Sequence, residues 1–162
     1  MVGERIWAPW RFAYVKDAAK NETCVFCDAP AAGDDEGKLI VHRGERSFVI
    51  LNLYPYTDGH LMVSPFEHVA RLQDVAAETL VEMLALAQRA MGRLDEAYEP
   101  QGYNVGFNQG RVAGAGVDGH IHLHVVPRWA GDTNFMPVLA DTHVMPQTLE
   151  EGYAMIKKGF EQ

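Results

Sequence analysis

The sequence predicts an α+β domain: an antiparallel sheet with one long helix packed on it and a C-terminal helix. Three observations lead there. β-Branched runs broken by tight turns fill residues 39–65. One long segment after them has helical apolar spacing. Two more strand-like runs then flank a glycine-rich loop. The 162 residues hold no repeat, low-complexity tract or long linker, so a single domain over 1–162 is expected.

The elements follow in order. "WAPWRFAYV" is aromatic and apolar and is expected to pack on the body or on a second chain. "APAAGDDEGK" reads as an acidic, turn-rich surface loop. "LIVHR" and "RSFVILNLYP" read as a hairpin turning at "GER", and "HLMVSP" as the next strand. Between 76 and 99, Leu80, Met83, Leu84, Leu86, Ala87, Ala90, Met91 and Leu94 recur at helical spacing and form a core-facing stripe. "GYNVGFN" and "HIHLHVVPR" are strands joined by the glycine-rich "QGRVAGAGVDG", and "MPQTLEEGYAMIKKGF" is a terminal helix.

Charge narrows the function classes. Twenty-two acidic against 14 basic residues give a formal net charge of −8. That argues against a protein coating nucleic acid through phosphate neutralisation. A small anionic ligand stays open, since backbone N–H groups and a few local donors suffice for it. No apolar run approaches the roughly 18 residues of a membrane span. "MVGERIWAPWRF" lacks the apolar region of a signal peptide, so a cytoplasmic protein is expected.

The chemistry concentrates in "DGHIHLHVVPRW". In a strand His120, His122 and His124 share one face, and Ile121, Leu123 and Val125 share the other. Three readings compete: a solvated face, a metal site, or covalent catalysis. Histidine is the commonest metal ligand. A catalytic metal would want carboxylates nearby, and only Asp118 is close in sequence. A neutral imidazole is a good nucleophile toward phosphorus. Its neighbours can stabilise phosphate charge as it develops. The preceding glycines would let backbone N–H groups approach an anion. Cys24 and Cys27 in "TCVFC" are the only cysteines, and they form a redox pair, half of a zinc site, or a chance pair.

"HIHLHVV" resembles the alternating signature of the histidine-triad family. The resemblance runs from about Trp7 to the tail. "WAPWRFAYV", "LNLYPYTDGHLMVSP" and "HVVPRWAGDTNF" look most like the bacterial branch that includes diadenosine tetraphosphate phosphorylases and hydrolases. The resemblance implies a histidine-triad fold, with 1–38 as an N-terminal segment carrying the C-x-x-C and 39–162 as the catalytic core. It implies attack by His122 on the α-phosphate of a dinucleoside polyphosphate, through a nucleotidyl-histidine intermediate. His124 and His60 would contact phosphate, and Gln109 would lie near the scissile bridge. Asn52 falls where the family binds ribose. Ile50 and Met62, each on a strand face shared with Asn52 or His60, could carry the base or be plain core. Many members have Gln-Ser or Gln-Thr where this chain has Gly116 and Val117, and backbone N–H groups of 115–117 would substitute. That departure weighs against a phosphoramidase.

The family also implies a structural zinc on Cys24, Cys27, His68 and His120, a closed tetrahedral set. No catalytic metal or organic cofactor is then called for. The family and base rates of symmetry both imply a homodimer. The rivals are hydrolysis of phosphoramidate or adenylyl-sulfate conjugates, a nucleotide-binding regulator with low turnover, and a zinc-stabilised interaction module. Arg128 would meet either a polyphosphate or a surface carboxylate, and Trp129 either a second base or a subunit interface. His42 and His143 lie in no motif and are expected on the solvated surface.

Overall fold

The middle strands, "SFVIL" and "LMVSP", are buried at every position, and successive side chains point to opposite faces, so both faces of the sheet must be covered. The computed structural model describes residues 23–132, 145 and 147–161. Helix α1 spans Val25–Ala31. Strands β1 (Ile40–Arg43), β2 (Ser47–Leu51) and β3 (Leu61–Pro65) follow. After a 3-10 turn at Leu72–Asp74 comes α2, Ala77–Tyr98. Then come β4 (Gly102–Phe107), β5 (Leu123–Arg128) and α3 (Leu149–Phe160). The five strands form one antiparallel sheet in the order β1-β2-β3-β5-β4.

The pleat divides the core in two. Val49, Leu51, Leu61, Val63, Leu123 and Val125 meet Met83, Leu86, Ala87, Ala90 and Leu94 of α2, with Tyr153, Ile156 and Phe160 of α3. On the opposite face Phe48, Ile50 and Met62 pack beneath Phe26 and Ala29 of α1. Cross-strand register aligns Ile50 with Met62, Met62 with His124, and His124 with Gly106. One row across the sheet thus links the second core to the histidines.

The structure departs from the sequence pattern in several places. The 29–38 segment is not all loop: its first three residues complete α1, and Pro30 sits inside that helix. Proline cannot donate a backbone bond, which favours a stop soon after. In α2, Leu84 is 53% exposed and lies off the stripe, while Leu80 and Met91 are only partly buried. The last strand starts at Leu123 rather than His120. Its partner β3 ends at Pro65, which has no N–H for a longer ladder, and the Ile121 N–H instead donates to the Val69 carbonyl at 2.7 Å. The tail helix starts at Leu149, behind a capping box of Thr148 and Glu151. His42 is half-buried, not solvated: its ring stacks on Phe160 at 5.0 Å because α3 folds back over β1. The N-terminal aromatics and His143 lie outside the described residues.

Candidate active site and metal centre

His122 is buried, and burial holds its pKa below the usual imidazole value. Its Nδ1 lies 2.8 Å from the His120 carbonyl oxygen. A carbonyl only accepts, so Nδ1 carries the proton and Nε2 keeps its lone pair. The middle histidine is therefore a neutral imidazole with an unprotonated Nε2.

A second chain of bonds sets the tautomer of His124. The Tyr56 N–H donates to His60 Nδ1 at 3.1 Å, and Asn52 Nδ2 lies 3.2 Å from the same atom. His60 must then carry its proton on Nε2, which sits 3.0 Å from His124 Nδ1. His124 accepts there, so its own proton is on Nε2. Burial first, then His124 and His122, hold the His60 pKa down to about 3. His60 is thus a fixed neutral donor. Gly59 places it with a left-handed φ of 72°; a Cβ there would lie 2.8 Å from a Leu94 methyl.

Asn52 is buried, and its Oδ1 accepts the Tyr54 N–H at 3.0 Å, the turn bond an Asn before "YPY" can make. Ile50 and Met62 are buried under α1. Val117 packs on the same cluster, one residue after Gly116. Of the 115–117 donors, the Ala115 N–H is engaged by the Gly110 carbonyl at 3.3 Å, so it cannot serve as a phosphate donor in this arrangement. Gln109 is exposed, and its Oε1 accepts the Leu72 N–H at 2.8 Å. Asp118 pairs with Arg111 at 2.7 Å, which holds its carboxyl below the usual range. Arg128 meets the carboxylate of Asp132, and also Asn104 at 2.6 Å. The Trp129 indole N–H donates to the Tyr98 carbonyl at 3.3 Å.

Cys24, Cys27, His68 and His120 come together although 96 residues separate the first from the last. Their ligand atoms all lie within 4.8 Å of one another. The sulfur–nitrogen edges are 3.2 Å for Cys27–His68 and 3.4 Å for Cys24–His120. Bond lengths of about 2.3 Å to sulfur and 2.0–2.1 Å to nitrogen give tetrahedral edges in the mid-3 Å range, so the cage has the size of a metal site. His120 Nε2 lies 2.9 Å from the Pro65 carbonyl oxygen, which puts the proton there and aims Nδ1 at the sulfurs. Burial, then Cys24, push the Cys27 thiol up to about 11, a disadvantage that a cation held between the ligands would reverse.

Two site residues escape the sequence reading. Phe26, between the cysteines, stacks on His122 with centroids 4.6 Å apart. Tyr56 leans on His60 at 4.6 Å and lies parallel to His124 at 6.1 Å. Tyr56 stands four residues before His60, a spacing without a motif. Phe26 could have been found from the single large apolar residue that a C-x-x-C turn must bury.

The HIT domain matches residues 35–131. The chain belongs to the HIT domain family. It is 38% identical over 156 residues to the AP-4-A phosphorylase of Mycobacterium tuberculosis, covering 91% of this chain and 80% of that protein. It is 32% identical over 111 residues to the adenosine 5'-monophosphoramidase of Schizosaccharomyces pombe, covering 65% and 74%. Among solved structures, a zinc-bound histidine triad family protein from Mycobacterium smegmatis superposes with a TM-score of 0.68 at 30% identity, over 86% of this chain and 94% of that one. Among the described residues, no helix of this family member is long and apolar enough to cross a membrane.

Proposed function

We propose that this protein is a nucleotidyl hydrolase or transferase that cleaves dinucleoside polyphosphates, diadenosine tetraphosphate first, through a nucleotidyl-His122 intermediate. One observation carries the reading: the bond from His122 Nδ1 to the His120 carbonyl, which leaves Nε2 as a buried, unprotonated nucleophile. The likeness to the AP-4-A phosphorylase supports the substrate class.

In the first step the Nε2 lone pair attacks the α-phosphorus. The P–N bond forms as the P–O bond to the leaving polyphosphate breaks with its electron pair. The His124 Nε2–H, oriented by His60, donates to a phosphate oxygen as charge builds there. The base lies at Val117, beside the Ile50–Met62 core that α1 covers; Asn52 meets the ribose, and N–H groups at 116 and 117 hold the α-phosphate. Gln109 releases Leu72 to reach the bridge. In the second step water or inorganic phosphate attacks phosphorus, the P–N bond breaks and the imidazole is restored.

Cys24, Cys27, His68 and His120 would hold a structural zinc ion, which supplies cross-linking and no chemistry at phosphorus. Reduced cysteines in a ligand arrangement suit the cytoplasm. The homodimer would form at β4, the sheet edge with exposed residues such as Val105, 46% accessible.

Product analysis with diadenosine tetraphosphate, with and without inorganic phosphate, tests the function. Phosphate-dependent ADP plus ATP marks a phosphorylase, and phosphate-independent AMP plus ATP a hydrolase. Absence of turnover contradicts the proposal.

A further inference from the structure

Phe26 is 2% exposed and touches the two halves of the site at once. Its ring covers a face of His122, with planes 29° apart, and leans on the metal-cluster ligand His120 with centroids at 5.4 Å. His124 meets His122 edge-on at 4.9 Å. The imidazole plane is thus bounded by a phenyl face, a histidine edge and the bond at Nδ1.

The helix carrying Phe26 has seven residues, with Pro30 inside. Isolated helices shorter than about 12 residues are marginal in water. The cysteines on either side of Phe26 meet His68 and His120, which belong to distant parts of the chain. The cage therefore holds down the turn that presents the ring. Charge acts in the same direction. As the P–N bond forms, Nε2 gives its lone pair to phosphorus and the imidazole ring becomes cationic. The leaving polyphosphate takes the electron pair of the P–O bond. The ring facing that new cation presents its negative π surface.

We infer that Phe26 is a positioning residue for the nucleophile, clamped by the cysteine–histidine cluster onto the face of His122, where it also stabilises the cationic nucleotidyl-imidazole. This rests on the reading of His122 as nucleophile.

The test uses the full chain with its metal. Phe26→Leu removes the π face at similar volume, Phe26→Tyr keeps it, and pentafluorophenylalanine at 26 keeps the shape but inverts the ring's charge distribution. The readouts are metal content, KM, the single-turnover rate of nucleotidylation, and the ring-proton resonances of His122. Phe26→Leu should retain metal, keep KM within about twofold and nucleotidylate about ten- to a hundredfold more slowly. The fluorinated ring should slow that step by about three- to thirtyfold, while Phe26→Tyr stays near wild type. Wild-type rates in folded, metal-loaded Phe26→Leu and fluorinated proteins would overturn the inference. If Phe26→Leu loses fold or metal, the shape-preserving fluorinated protein decides alone. The stack is also read without turnover. His122 ring protons should lie upfield and move downfield both in Phe26→Leu and on metal removal; unshifted resonances overturn the clamp. Wild-type protein without turnover but with those shifts would refute the functional reading and leave the clamp standing.

Discussion

His60 is the group whose titration should be easiest to see in the stability of the fold. It is buried among Asn52, Tyr56 and His124 and stays neutral until pH falls to about 3. In the unfolded chain a histidine titrates near 6.5. Between those values the unfolded state binds the extra proton, so stability falls as pH falls. The contribution is fully present above about 6.5 and is lost progressively on acidification toward 3. From pH 7 to pH 5 one such group removes about 2 kcal/mol, and any native value below about 4 gives the same answer. Other buried histidines, His122 among them, act in the same direction. The comparison must therefore be with a His60→Gln variant, whose amide N–H replaces the imidazole donor to His124. Urea unfolding at pH 7 and pH 5 measures both proteins. Wild type should lose about 2 kcal/mol more than the variant and take up about one more proton on unfolding at pH 5. Equal losses would show that His60 is not held neutral, and the tautomer assigned to His124 would fall with it.

Other expected outcomes follow from separate contacts. Cys24→Ala should abolish stoichiometric metal binding by elemental analysis and lower Tm; full metal content in the variant would contradict the four-ligand cage. Glu82 of α2 accepts from the N–H groups of Glu45 and Arg46 and from Ser47 Oγ at the β1–β2 turn. Glu82→Ala should therefore destabilise by about 1–3 kcal/mol in denaturant titration with turnover retained, and an unchanged midpoint would refute this. Gly59→Ala should reduce kcat and stability together, since the left-handed backbone and the Leu94 methyl oppose a Cβ at the residue before His60. Unaltered kinetics and Tm would show that the turn does not set His60.

The architecture was legible where residues alternate with a clear period. The hairpin at Gly44, the strand at Leu61 and the helix ending at Tyr98 all follow from apolar spacing and turn residues. So did the shared face of the three histidines: Phe26 touches both His120 and His122, and His122 meets His124 edge-on, although the ladder stops at Leu123. The early end of that ladder was not legible, since it depends on the partner strand ending at Pro65. Nor was the short helix around Phe26, which has too few residues for a period. Long-range pairing hid the rest. His42 looked solvated because α3, over 100 residues later, supplies its neighbour Phe160. The donors at 115–117 were counted without the bond from Ala115 to Gly110, which only the folded loop reveals.

Catalysis by this route requires a covalent bond between His122 and the α-phosphorus. The most direct measurement is rapid denaturing quench during turnover of α-labelled diadenosine tetraphosphate, followed by peptide mapping of the labelled protein. An acid-labile, base-stable nucleotidyl group is expected on the peptide carrying His122, formed before product and lost in His122→Asn. Product formation without protein-bound label under single-turnover conditions, or label and turnover persisting in His122→Asn, would contradict it.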